Sequence, residues 1–240
     1  MIKNIIVTGG SGRFAKVLNE TKSKYNFIFR SKKQLNILSE KSINKNLKYF
    51  KPDCILHLAG LSRPMTIHDK LLNKSIDLNI IGTSNIVKAC NNGKIKIIFL
   101  STNYVYPGKK GSYKENDPLL PWNNYGWSKL GAEAAVQMYK NSLIIRACMT
   151  EKPFTHKFAF TNVKSNFIYH DEFAKILIKI IRQKGVLNIG GVSQSIYKFA
   201  KKNNKNIKKK KSKGELPLNM HMKLKKLNKL VKKWKLLKLK

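Results

Sequence analysis

Apolar residues fall along the chain in short continuous runs separated by stretches of helical spacing. Residues 3–8 (KNIIVT), 25–30 (YNFIFR), 54–58 (CILHL), 96–100 (KIIFL) and 143–147 (LIIRA) read as strands. They are apolar throughout rather than alternately, the pattern of strands covered on both faces. Between them, helical spacing predicts helices over 13–21, 68–90 and 125–139, with a polar stretch of helical spacing between the second and third strands. Strands alternating with helices imply an α/β fold, a Rossmann-like doubly wound parallel sheet over residues 1–150. Ligands on such sheets sit beyond the strand C-terminal ends, where the strand order reverses.

Over 151–240 the pattern is looser and predicts a small, shortened C-terminal region. It reads as a helix at 172–183, a strand at 186–191, a helix from 195, and a lysine–asparagine connector at 203–214. The last segment sets Leu224, Leu227, Leu230, Val231 and Trp234 on one stripe with lysines elsewhere. That is an amphipathic helix docked on the body, with an anionic surface as the alternative partner.

Composition narrows the class. With 240 residues, 42% of them hydrophobic, the chain builds one core or one core plus an annex, and a disordered polymer is excluded. No apolar run approaches 18 residues, so no transmembrane segment is expected, and the N-terminus lacks a signal-peptide core. Cys54, Cys90 and Cys148 are widely spaced; they suit a reducing cytoplasm and neither a disulfide framework nor a metal site. The net charge is +37, yet 44 of the 49 basic residues are lysines. Groove reading favours the bidentate guanidinium, so no specific nucleic-acid role is expected. Residues 201–240 hold 17 lysines and one acid, enough for weak contact with anionic surfaces.

The candidate chemistry lies at the strand ends. Thr8, Gly9, Gly10, Ser11, Gly12, Arg13, Phe14 and Ala15 join the first strand to the first helix. Glycines there let a pyrophosphate approach the helix N-terminus, whose free N–H groups and dipole hold an anion. The second strand ends in Arg30, Ser31, Lys32 and Lys33 with no nearby acid. A carboxylate would favour a free ribose, whereas cations suit a 2′-phosphate, so NADP is expected, with NAD as the alternative. Tyr125 and Lys129 are one helical turn apart. An ammonium there favours the phenolate and lowers the tyrosine pKa, making Tyr125 a general acid or base. Ser101 and Thr102 end the fourth strand, where a hydroxyl can hydrogen-bond a substrate carbonyl. Each feature alone is weak in so lysine-rich a chain; the specificity is in their order.

The segments TGGSGRFA, LNI (35–37), HLAG (57–60), DLNIIGTSNIV, STNYVYPG, YGWSK and LIIRA together resemble the extended short-chain dehydrogenases/reductases. The similarity is closest to the dTDP-4-dehydrorhamnose reductase-like branch, which binds nucleotide sugars, and covers residues 1–147. Weaker echoes are HDEFAKIL, GVLNIGG and LPLNMHMKL. The resemblance implies that Gly9, Gly12 and Ala15 form the pyrophosphate loop and that Leu58, Ala59 and Gly60 line the nicotinamide-side ribose. Asn36, beside Ile37, stands where an aspartate commonly meets adenine, and Asn79 would brace the active-site helix. Thr102, Tyr125 and Lys129 would be catalytic: the tyrosine protonates the substrate oxygen as hydride passes from the nicotinamide, and the lysine also holds the ribose. His57 and Asn103 replace an asparagine and an aspartate.

Residues 148–170 are much shorter than the family's substrate-domain insertion. The pocket for the nucleotide half of a substrate is then reduced, open, or completed by another copy in a homodimer. Arg63, His68 and Asn103 are the candidate substrate contacts. These readings imply an NADP-dependent reductase of a keto group on a nucleotide-activated sugar, as in polysaccharide biosynthesis. The alternatives are an epimerase or dehydratase of the same family, or a non-catalytic NADP-binding protein.

Overall fold

Ile5 and Val7 pack to one side of their strand and Ile6 to the other, all three fully buried. A strand with such neighbours lies inside a sheet covered on both faces. In the computed structural model of the protein, which describes residues 2–233, this strand is β1 (Asn4–Thr8). It is followed by α1 (Arg13–Glu20), β2 (Asn26–Arg30), α2 (Glu40–Phe50) and β3 (Cys54–His57). Two short turns of helix, α3 (Ile67–Lys70) and α4 (Leu72–Ser75), lead through a π-helical segment (Ile76–Ile81) into α5 (Gly82–Asn92). Then come β4 (Lys96–Thr102), a 3₁₀ turn (Asn103–Val105), α6 (Asn124–Gln137) and β5 (Ser142–Ala147).

The remainder holds β6 (Met149–Thr150), β7 (Phe158–Phe160), β8 (Lys164–Ser165), β9 (Ile168–Tyr169), α7 (His170–Ile180) and β10 (Gly185–Ile189). β11 (Gln194–Ser195), α8 (Ile196–Lys201), β12 (Lys208–Lys210) and α9 (Lys225–Lys233) complete it.

The central sheet runs β2–β1–β3–β4–β5–β10, and every neighbouring pair is parallel. The chain winds outward from β1 to β2, then returns to place β3 on the other side of β1. The order therefore reverses between β1 and β3, and the loops after these two strands share the crevice where ligands bind in doubly wound sheets. One face is covered by α1, α7 and α9 through Phe14, Leu18, Phe173, Leu177, Leu227 and Val231. The other is covered by α2, α5 and α6 through Ile43, Ile86, Ala132 and Val136.

The expected α/β sheet is present, with three departures. The sixth strand, β10, comes from beyond residue 150, so the sheet is not confined to 1–150. The helical pattern at 68–90 is broken rather than continuous: Leu71 leaves helical geometry (φ −123°, ψ 59°) and the π-helical segment follows. The connector at 203–214 is not structureless, since β12 pairs in parallel with β7. Past residue 150 a second small core gathers Phe154, Ala159, Val163, Tyr169, Ile196, Phe199 and Ile207.

The C-terminal stripe docks on the body: Leu227 is fully buried and Val231 nearly so, while Trp234 lies outside the described residues. Among the described residues no helix is long and apolar enough to cross a membrane.

Candidate active site

A cavity of about 1010 Å³ opens at the C-terminal ends of the strands, at the upper end of the range for ligand pockets. Its floor is the junction of the loops after β1 and β3. Gly9 has φ +67°, and a side chain there would meet the Ala59 backbone nitrogen at 2.8 Å. Only glycine permits both the turn and the contact.

The junction is fixed by a buried relay. Thr83 Oγ1 donates its proton to the Asn79 carbonyl (2.6 Å) and therefore accepts from His57 Nε2 (3.1 Å). Burial, with the Lys129 charge adding to it, pushes His57 down to about 3, so the ring is neutral. Its Nδ1 then accepts from Thr8 Oγ1 (2.7 Å), and that oxygen accepts in turn from the N–H groups of Leu58 (3.2 Å) and Ala59 (3.1 Å). His57 thus ties β1, β3 and α5 together beneath the cavity.

At one end of the cavity lie Gly9, Ser11, Gly12, Arg13, Phe14 and Ala15, with Lys32, Asn36 and Ile37 beside them. Gly12 begins α1 with no side-chain cap, and the first turn holds no acid. The first N–H groups of α1 are thus left for an anion. A glycine cradle, an uncapped helix and a nearby lysine fit the phosphates of a dinucleotide.

The middle wall carries Thr102, Tyr125 and Lys129. α6 starts where Asn123 Oδ1 accepts from Gly126 N–H at 2.8 Å, which sets Tyr125 in the first turn. Ser128 Oγ donates to the Tyr125 carbonyl (2.9 Å) and accepts from Asn79 Nδ2 (2.8 Å). Asn79 Nδ2 also donates to the Leu61 carbonyl (2.9 Å), and its Oδ1 accepts from Leu61 N–H (2.7 Å). Gly60 is required beside it, because a Cβ there would lie 2.7 Å from Asn79 Oδ1. The π-helical segment presents Asn79 to the loop after β3 and to α6 at once; such segments are frequent at functional sites.

Burial raises the Tyr125 phenol above its usual value, with Thr102 and Arg63 pulling the other way. Burial also lowers Lys129 to about 7 against the opposing charge of Glu133. The spacing alone predicts a phenol lowered by its lysine. In the folded chain desolvation outweighs that pairing, because the ammonium itself is drawn toward neutrality.

Behind this wall, Glu133 accepts from Arg146 Nη2 at 2.8 Å and from the Ser101 hydroxyl, with both charged side chains almost wholly buried. Arg146 Nη1 continues to Tyr106 Oη (2.9 Å), which donates to Asn188 Oδ1 (2.8 Å). Tyr125, Lys129 and Glu133 share one face of α6, so this network anchors the face that carries the candidate catalytic pair.

The far wall is built from the second half of the chain: Phe154, His156, Phe158, Phe160, Phe167, His170, Ile196, Lys210 and Leu216, with Glu151 nearer the glycine loop. None of these was singled out from sequence; their only signal is long-range, since β12 and α8 arrive from residues 196–210. Tyr104, also missed, lines the wall with its ring 5.8 Å from that of Tyr125.

Two expected contacts are placed elsewhere. Arg30 does not line the cavity; its guanidinium stacks 4.9 Å from the Phe50 ring centroid, and Lys32 takes the position facing the cavity. His68 is fully buried behind Tyr125, its ring 5.1 Å away and its Nδ1 2.7 Å from Ser75 Oγ, so it supports the tyrosine instead of meeting a substrate. Asn79 lies behind the lining, where it joins the loop after β3 to α6. Leu58, Ala59, Gly60, Arg63 and Asn103 do line the cavity, Asn103 with its Nδ2 turned to the Met220 carbonyl (3.3 Å).

Comparison with known proteins agrees with this architecture. The spore coat polysaccharide biosynthesis protein SpsK of Bacillus subtilis (strain 168) is 31% identical over 146 residues, 59% of this chain and 51% of that protein. Methionine adenosyltransferase 2 subunit beta of Xenopus laevis is 32% identical over 102 residues, 42% of this chain and 30% of that protein. The chain thus spans about half the length of the curated relatives it matches, or less.

The crystal structure of dTDP-4-dehydrorhamnose reductase from Bacillus anthracis str. Ames, in complex with NADP, has the same fold. Its TM-score is 0.85 at 22% identity, over 95% of this chain and 92% of that one. The family model for the RmlD substrate binding domain matches residues 3–163, and the chain belongs to that family.

Proposed function

We propose that the chain is an NADP-dependent reductase acting on a keto group of a nucleotide-linked sugar, with NAD as the lesser cofactor. The observation that carries this reading is one continuous cavity, which joins an uncapped glycine-rich helix start to a wall bearing Thr102, Tyr125 and Lys129. Names among the similar proteins support it, since one is a polysaccharide biosynthesis protein and another a sugar-nucleotide reductase bound to NADP.

In this reading Gly9, Ser11, Gly12, Arg13, Phe14 and Ala15 hold the cofactor's diphosphate, and Lys32 favours a 2′-phosphate. Asn36 and Ile37 meet the adenine, and Leu58, Ala59 and Gly60 flank the nicotinamide-side ribose. The cofactor when bound supplies a hydride. Thr102 orients the substrate carbonyl by hydrogen bonding, and Tyr125 Oη delivers the proton to the carbonyl oxygen. Burial supports this direction, because a phenol raised above its usual range keeps its proton at neutral pH. Lys129 holds the ribose and regains full charge as anionic ligands enter. Arg63 and Asn103 meet the substrate, and residues 151–240 serve as a reduced substrate region.

The test is NADPH oxidation, followed at the nicotinamide absorbance band, against a panel of nucleotide-linked keto sugars. Stoichiometric loss of NADPH supports a reductase. Turnover of sugar with no net absorbance change would instead indicate an epimerase. A second reading, a cofactor-binding subunit without turnover, draws on the match to an adenosyltransferase subunit beta. NADPH binding with no turnover of any sugar would favour it, and retention of both Tyr125 and Lys129 argues against it.

A further inference from the structure

Glu151 stands between two guanidinium groups that come from different segments of the cavity lining. Its Oε1 lies 2.8 Å from Arg13 Nη1 and its Oε2 2.9 Å from Arg63 Nη1. Arg13 comes from the first turn of α1 and Arg63 from the loop after β3, while Glu151 follows β6; all three line the cavity. One carboxylate is thus divided between the loop that would hold a cofactor's diphosphate and the loop that would face a substrate. Burial opposes the Glu151 charge, yet its own backbone N–H and the two arginines outweigh that cost and keep the carboxyl below its usual range. A chain with only 12 acidic residues against 49 basic ones has placed one of them where two arginines meet.

An anion arriving at the α1 N-terminus needs the same guanidinium. The Arg13 side chain is 55% exposed, whereas that of Glu151 is only 19% exposed. If Arg13 moves to the anion, Glu151 keeps Arg63 alone and faces a like charge.

We propose that Glu151 is a positioning residue that couples Arg13 to Arg63: it competes with the cofactor's diphosphate for Arg13 and, through Arg63, makes cofactor affinity depend on what Arg63 holds. An anionic substrate group that takes Arg63 returns Glu151 to Arg13 and loosens the cofactor. By linkage the cofactor loosens that group by the same factor. The inference rests on the reading that NADP binds at the glycine loop.

The experiment is fluorescence titration of NADPH into the full chain at low salt for wild type, Glu151→Gln, Arg63→Gln and the double variant, with a melting curve for each. Glu151→Gln should tighten binding by about threefold to tenfold, the range for a partly screened ion pair. Arg63→Gln should weaken it by a similar factor, because Glu151 then falls wholly to Arg13. In the Glu151→Gln background the Arg63 change should have no effect.

Equal affinity in wild type and Glu151→Gln, or the same Arg63 effect in both backgrounds, overturns the coupling and leaves the cofactor reading standing. Folded protein that binds no NADPH in any form removes the cofactor reading and the coupling with it. If Glu151→Gln does not fold, Arg63→Gln decides alone: unchanged or tighter binding refutes the proposal.

Discussion

The Lys129 ammonium lies 4.1 Å from the centroid of the Phe99 ring, so an aromatic face partly replaces the water that burial removes. That replacement is incomplete, since the group is lowered to about 7. An unfolded lysine titrates near about 10.4, so between about pH 7 and 10 the unfolded chain holds a proton that the folded chain has released. On this account stability rises with pH across that window, by at most about 1.4 kcal/mol per unit. Urea unfolding of wild type and Lys129→Met at pH 7 and pH 9 checks it. Wild type should gain on the variant as pH rises; a constant gap would mean that Lys129 stays charged in the fold.

Tyr125 has its pKa raised by burial, which suits an acid more than a base. Tyr125→Phe should lower the rate of keto reduction by about 100-fold to 10,000-fold, the usual range for a lost general acid. NADPH affinity should barely change. Between pH 6 and 9 the Tyr125 proton should impose no fall in the rate of reduction, because the phenol stays protonated throughout. A loss of binding in proportion to activity would assign the residue to structure instead.

Asn79 makes three hydrogen bonds, to Ser128 Oγ and to both backbone groups of Leu61. Asn79→Ala leaves those partners without their buried amide and should cost about 2 kcal/mol or more. Thermal melting reads the loss. Turnover should fall more than cofactor affinity, since the bracing acts on the segment carrying Tyr125 and Ser128.

Glu133 and Arg146 form an ion pair with side chains 4% and 5% exposed. Arg146→Met leaves a buried carboxylate without its partner and should cost about 3–5 kcal/mol. Replacing both residues by leucine should cost clearly less than the two single changes added together. Additive losses in urea midpoints would show that the pair is not coupled.

Leu227 is fully buried where α9 packs on the sheet face beside α7. Leu227→Ala should destabilise by about 2–5 kcal/mol, as for other core leucines. A change within a few tenths would mean that α9 does not belong to the core.

The sheet was legible because each of its strands is a local run of apolar residues bounded by turn or helix signals. The cofactor end was legible for the same reason: Gly9, Gly12 and Ala15 are adjacent in sequence, and a turn needs only its own residues. Arg30 was misassigned because local sequence says that a cation ends β2, but not that the ring of Phe50, twenty residues on, gives its guanidinium a stacking partner. His68 was misassigned because a polar residue near a loop looks exposed until α6 closes over it. The far wall was invisible, since Phe160 and Lys210 meet only through the parallel pairing of β7 with β12, some fifty residues apart. The lysine excess concealed β12 as well, because three consecutive lysines carry no strand pattern.

The pairing of Met149–Thr150 with Ile168–Tyr169 closes the neck of the segment that runs between β5 and α7. Everything from 151 to 167 leaves and rejoins the body at that clasp, while the six strands are satisfied without it. The excursion is held at two places, by the clasp and by the pairing of its β7 and β8 with β12 and β11, so its loops between those strands are the parts free to lengthen. A longer excursion spliced between Thr150 and Ile168 would redraw the far wall of the cavity and leave the glycine turn and the tyrosine helix where they are.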